Sequence, residues 1–231
     1  RSDADRCPSQ VPPMSDGSWA ALSDADIWSL RVDYAKSLAA QLAVNAEEML
    51  NAWDVAGGNY AAQLALAEGT DTYQDQHDAL DAVYRSLFYL ETMTKDTKLA
   101  HPIGLIDCSV ENCIEDLEGL LSGTSLSSVH GNLVGARTLF WGGEDSTAAG
   151  MDDLLIELGH GDLAESFEAA LSYSIDVLGQ DRAPLSALII EEPDTVEEIY
   201  AAVKGVTDLI KNDLSVVLNV EIPSEAAGDN D

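Results

Sequence analysis

Apolar residues in this chain recur at steps of three and four, and almost never at steps of two. Ile27, Leu30, Tyr34, Leu38, Leu42, Ala46, Met49 and Trp53 make the longest such series. Steps of three and four return side chains to one side of an α-helix, so the series predicts a long amphipathic helix with its stripe in a core. Leu80, Val83, Tyr84, Leu87, Leu90 and Thr94 predict a second helix over 73–98. Leu126, Val129, Leu133, Ala136 and Phe140 predict a third over 126–141, and Val196, Ile199, Val203, Ile210, Leu214 and Val217 a last over 194–218. Shorter helices are expected over 151–158 and 162–178, hinged at Gly159-His160-Gly161. Leu188–Ile190 is the one strand-like run, too short to build a sheet. The expected fold is all-α, an antiparallel helix bundle.

Punctuation agrees with these periods. Ser23 is a good N-cap, and Asp24 and Asp26 suit the positive end of the helix dipole. Gly57-Gly58 stops the first helix, His101-Pro102 breaks the second, and Pro193 suits the start of the last. Residues 1–22 carry Pro8, Pro12, Pro13 and Gly17 without periodicity and are expected to be an extended arm. The bundle is expected over 23–222, with an acidic tail at 223–231. The polar start, RSDADRCPSQ, reads as a processed end.

Charge narrows the function classes. The chain has 42 acidic and 11 basic residues, a net charge of −31. Phosphate backbones need a basic surface, so nucleic acid is excluded as a partner, and anionic lipid is disfavoured. Such a field attracts cations, but the acids are spread over every segment and read first as a solvated surface. No stretch is apolar enough to span a membrane as a helix.

Cys108 and Cys113 stand in a loop-like DCSVENC segment without the second pair that a four-cysteine zinc site needs. A short-range disulfide between them is expected, and with it an oxidising compartment. Cys7 is then free or joined to another chain. Among the histidines, His77 with Asp78 and Asp81 is a conceivable metal group, but a solvated acidic face is the plainer reading. His130 is expected to be structural and His160 exposed in its turn. No zincin pairing, no His-x-x-Glu, no Gly-x-Ser-x-Gly and no glycine-rich phosphate loop occurs.

Three segments carry a resemblance. Asn132-x-x-Gly135 is followed by Leu139-Phe140-Trp141-Gly142; Leu99-x-x-Pro102-Ile-Gly-Leu105 precedes it; Leu218-Asn-Val220 and Ala226-Ala-Gly-Asp229 close the chain. In this order they resemble the second half of imelysin-like proteins, iron-regulated exported helical proteins of bacteria once classed as metallopeptidases. The resemblance implies the second bundle of a two-bundle fold that looks like a diverged duplication. The family's signature, Gly-x-His-x-x-Glu, belongs to a first-half helix and is absent from this sequence. Set against that phrase, Val134 stands where the histidine would be and Arg137 where the glutamate would be. A histidine and a glutamate three apart share a helix face and can reach one metal; valine and arginine cannot.

The resemblance therefore implies a non-enzymatic exported binding protein, in bacterial iron or other metal uptake, located in the periplasm, at the cell surface or secreted. Iron or another divalent metal would be bound mainly by the missing half, with no metal ligand and no catalytic residue in this chain. That half, an N-terminal imelysin-like bundle present as a second chain, is the expected partner. Residues 1–22 would then be the remnant of the inter-bundle loop, with a free-standing single-bundle relative as the other possibility. Asn132, Arg137 and His130 are the candidates for a pocket between bundles, and Cys7 for an inter-chain disulfide. The alternatives are a structural or interaction subunit of a cell-surface assembly, or part of a metallopeptidase.

Overall fold

The computed structural model describes residues 16–67, 72–179, 182–224 and 226. Cys7, most of the N-terminal arm and most of the acidic tail lie outside the described residues. Among the described residues every regular element is helical. The chain divides into two compact units, residues 1–73 and 74–231.

The first unit contains α1 (Ser18–Ala21), α2 (Asp24–Trp53) and α3 (Tyr60–Leu66). α2 starts where its cap residue dictates: the Ser23 hydroxyl oxygen accepts the Asp26 amide at 3.2 Å, and Asp24 and Asp26 occupy the first turn. The helix is as long as the apolar series predicts, but the expectation that its stripe packs in a core is corrected. Only Ile27 of α2 is buried, while Trp28, Leu42 and Met49 are 64%, 70% and 66% exposed. Periodicity records that a helix has an apolar face, not that something covers it. α3 follows a left-handed Asn59 (φ 49°), and Tyr60 packs edge-on against Trp53 with ring centres 4.9 Å apart.

The second unit holds the core. Its elements are α4 (Gln76–Ser86), a wide-turn π-helix (Leu90–Ala100), a 3₁₀ turn (Ile114–Asp116), α5 (Ser125–Trp141), α6 (Met151–Glu157), α7 (Gly161–Leu178), α8 (Leu185–Glu191), α9 (Pro193–Leu209), a second π-helix (Ile210–Leu214) and α10 (Ser215–Leu218). The first π-helix packs on α5, α5 on α7, α7 on α9, and α9 back on the π-helix. These segments close a ring, a four-helix bundle with α6 laid against α5 and α7, and α8 against α9. Leu99, Val129, Leu133, Phe140, Leu155, Phe167, Leu171, Val203, Val206, Ile210 and Leu214 fill its centre.

Three expectations are corrected here. The strand-like run Leu188–Ile190 is helical, inside α8, with Leu188 and Ile189 facing the core. The continuous helix expected over 73–98 is α4 followed by the π-helix, and the last long helix is interrupted at Ile210–Leu214. Ser215 donates through Oγ to the Lys211 carbonyl at 2.6 Å, a back-bond that accompanies irregular helix. The expected disulfide is present: Cys108 and Cys113 are bonded, with their Cα atoms 6.0 Å apart.

α5 ends as its sequence demands. Gly142 is left-handed (φ 71°), and the Gly143 amide returns to the Thr138 carbonyl at 3.1 Å, the closure of a Schellman cap. The helix end abuts the next segment closely: a Cβ on Gly142 would meet the Ala149 carbonyl oxygen at 2.1 Å. The Trp141-Gly142 pair thus has a backbone reason, which Gly135 lacks, since a Cβ there would meet nothing within 4 Å.

Candidate functional site: a buried charge cluster on the wide-turn helix

The 11-residue run Leu90–Ala100 is long for a π-helix, a form seen mostly as single turns at functional sites. Its wider repeat is anchored by the His101 amide on the Asp96 carbonyl at 2.8 Å. Side-chain hydroxyls follow the same five-residue step: Thr94 Oγ1 donates to the Tyr89 carbonyl at 3.3 Å and Thr97 Oγ1 to Thr92 at 2.9 Å. The widening turns Glu91, Thr94, Lys95 and Lys98 inward together. Glu91 and Lys95 are each 1% exposed.

Charges buried this deeply need partners. Glu91 Oε1 accepts from Lys211 Nζ at 2.8 Å, and Lys95 Nζ lies 3.2 Å from the same oxygen. Lys95 Nζ also lies 3.1 Å from Asp96 Oδ1. Lys211 comes from the second π-helix, so the two irregular segments are tied by an ion pair. The second π-helix is also tied to α4 through Tyr84, whose hydroxyl donates to the Ile210 carbonyl at 2.8 Å. Burial pushes the Tyr84 hydroxyl up to about 12, which keeps it a donor.

Burial alone would raise the Glu91 carboxyl. The hydrogen bond from Lys211, the Thr207 hydroxyl and the charges of Lys95 and Lys211 together bring it below its ordinary value. Thr207 donates to the Lys204 carbonyl at 3.1 Å; turning its proton would serve Glu91 Oε2, which is otherwise buried without a hydrogen bond.

A second arm of the cluster runs along α5. Lys98 Nζ donates to Ser128 Oγ at 2.8 Å and lies 3.0 Å from Glu118 Oε2. The Lys98 hydrogen bond holds the Glu118 carboxyl below its ordinary value. One turn further on, Asn132 Nδ2 donates to Thr94 Oγ1 at 3.0 Å. Of the pocket candidates, Asn132 thus belongs to the interface between α5 and the π-helix. Arg137 instead lies over the Trp141 ring, 4.9 Å from its centre. His130 lines a shallow cavity with Ser127, Gly179 and Arg182. At about 100° per residue, His130 and Arg137 share one side of α5, and Asn132 points about 140–160° away from both.

The His77 group does not converge on a metal. Asp81 receives Arg85 Nε at 2.6 Å and the Glu221 amide at 3.0 Å, and Asp78 receives the Gln74 amide at 3.1 Å. Among the described residues, one group brings metal-ligating atoms together: His101, Cys113 and Asp116. Cys113 already spends its sulfur in the disulfide.

Sequence reasoning missed Glu91, Lys95, Lys98 and Lys211. A signal existed. In a chain with 11 basic residues, two lysines fall within TKDTKLA at a step of three, so they share a side of any helix there.

The order of segments around this cluster (the wide-turn helix, His101-Pro102, then α5 closing at Trp141-Gly142) is the order of the resemblance noted above. The family model described as imelysin, a family also named peptidase M75, matches residues 13–212. The chain belongs to the imelysin family. The imelysin match takes in both compact units. No curated protein and no solved structure matches the chain.

Proposed function

We propose that this imelysin-family chain is a non-enzymatic exported binding protein of bacterial iron or other metal uptake, and that it is the half without the family's metal motif. One observation supports the reading: the Arg137 guanidinium, which the resemblance sets against the motif's glutamate with Val134 against its histidine, is engaged on the Trp141 ring of α5. The charge cluster supports it. Its deepest carboxylate, Glu91, is bridged by two ammonium groups, so it is neither a free ligand nor a free base. A metallopeptidase needs three protein ligands and an open position, and a cluster closed by lysines offers neither. The test is peptide hydrolysis by the purified, disulfide-closed chain, with and without chelator, beside zinc and iron titration. We expect no cleavage and no sub-micromolar binding. Chelator-sensitive cleavage would overturn the reading.

The exposed apolar face of α2 favours an added role in assembly. The occupant we propose is an N-terminal imelysin-like bundle supplied as a second chain, with Cys7 as a possible covalent link. Mass analysis of native material, reduced and non-reduced, tests this. A second polypeptide with imelysin character is expected, and a solitary chain with a free Cys7 would refute it.

A further inference from the structure

We propose that opening the Cys108–Cys113 disulfide uncovers a zinc-type metal site built from His101, Cys108, Cys113 and Asp116. The proposal is independent of the uptake reading, which concerns the disulfide-closed chain.

The ligand atoms of His101, Cys113 and Asp116 already lie within 4.8 Å of one another. His101 Nε2 and Asp116 Oδ2 are 3.2 Å apart. Zinc holds nitrogen and oxygen at about 2.0–2.2 Å, so the edge of its tetrahedron is about 3.3–3.5 Å. Cys108 is bonded to Cys113, so its sulfur stands one S–S bond away from that group and has only to swing inward to join it. Opened, the pair supplies two thiolates, and the set becomes two sulfurs, one imidazole nitrogen and one carboxylate oxygen, a four-ligand complement of the kind zinc takes.

The imidazole is oriented as a ligand. Its Nδ1 faces the Ile106 carbonyl oxygen at 3.2 Å, and its Nε2 faces the Asp116 carboxylate. A neutral imidazole has one N–H and cannot serve two acceptors. With Nδ1–H donated to the carbonyl, the Nε2 lone pair needs a second proton or a cation between it and the carboxylate. A backbone carbonyl on the far nitrogen is the usual way a metal-binding histidine is held.

The frame does not depend on the sulfur bond. The Cys113 amide donates to the Pro102 carbonyl at 3.0 Å, and the Asp116 amide to the Cys113 carbonyl at 3.0 Å. Gly104 is left-handed (φ 85°), and a Cβ there would strike the Glu111 carbonyl oxygen at 2.2 Å, so the two strands of the loop touch through backbone. Pro102 and Cys113 are buried. Cys108 is half-buried, and once the bond is opened its side chain can turn to a metal-binding separation.

The steps balance. A dithiol or phosphine reductant gives two electrons, and with two protons the disulfide becomes two thiols; the dithiol closes to its own disulfide, or the phosphine takes oxygen from water. Zinc then binds both sulfurs as thiolates, and two thiol protons leave to solvent. With the disulfide closed, only His101 and Asp116 remain, too few to hold the ion. The metal site and the covalent bond exclude each other, so the loop reports the redox state of its surroundings as bound or released metal.

Cobalt(II) is the probe, on the full chain with Cys7→Ser as background. After phosphine reduction we expect one cobalt per chain, with thiolate-to-cobalt charge transfer and the intense visible bands of a tetrahedral ion, displaced one-for-one by zinc. The oxidised chain should give neither band. Asp116→Asn and His101→Gln should each weaken zinc at least about tenfold, with far-UV circular dichroism confirming that both stay helical; Asp116 is exposed, so its variant is the safer one. A reduced chain without the thiolate band, equal cobalt spectra before and after reduction, or unchanged affinity in both ligand variants would each overturn the proposal.

Discussion

Glu91 accepts two ammonium groups inside the bundle, so its charge matters more than its volume. In Glu91→Gln, Lys95 and Lys211 keep their charges and lose the group that neutralises them. Breaking a buried pair from one side costs about 3–5 kcal/mol. We expect that loss in the urea midpoint of Glu91→Gln, and a smaller one, within about 2 kcal/mol of wild type, when Glu91, Lys95 and Lys211 are all replaced by apolar residues of similar size. The sign with pH follows from the lowered carboxyl. A group whose folded value lies below its unfolded one adds stability above the unfolded value and loses it as pH falls through the folded value. Wild type should therefore lose stability on acidification from the ordinary carboxylate value of 4.5 downward, and Glu91→Gln should lose less over that window. Equal acid slopes in urea melts at several pH values would contradict this.

The longer elements of a single helical type were legible; the short α8, whose run Leu188–Ile190 reads as strand, and the elements that change type were not. α5 could be read from its period and its terminal glycine because both are local. Gly142→Ala should cost about 1 kcal/mol for its left-handed backbone, and more for the contact with Ala149. Gly135→Ala, exposed with open space in mid-helix, should instead stabilise by about 0.5–1 kcal/mol. Thermal melts of the two variants should move in opposite directions. The π-helix was not legible: its five-residue hydrogen-bond step brings to one side residues that the ordinary helical period keeps apart, and the partners that fix it, Glu118 for Lys98 and Lys211 for Glu91, lie far along the sequence. The disulfide was legible from spacing alone, whereas the convergence of His101 and Asp116 on it depends on a turn. Its loop is short, so chain-entropy reasoning gives about 2 kcal/mol for its closure. Cys108→Ser/Cys113→Ser should lose no more than about that in urea and stay folded.

At the scale of the whole molecule, charge and helix content were readable because they are sums over residues, and the division into two units was not. The α2 series carries the same period as the core helices, and only tertiary structure shows which apolar faces are covered. The division has a consequence for optical experiments. Trp19, Trp28 and Trp53 lie in the first unit and Trp141 alone in the second. Intrinsic fluorescence is thus a gauge of the first unit, while far-UV ellipticity is dominated by the larger helical share of the second. Followed by the two signals, one heating run should trace two curves that do not superimpose, fluorescence changing at the lower temperature. Coincident curves would mean that the units melt as one.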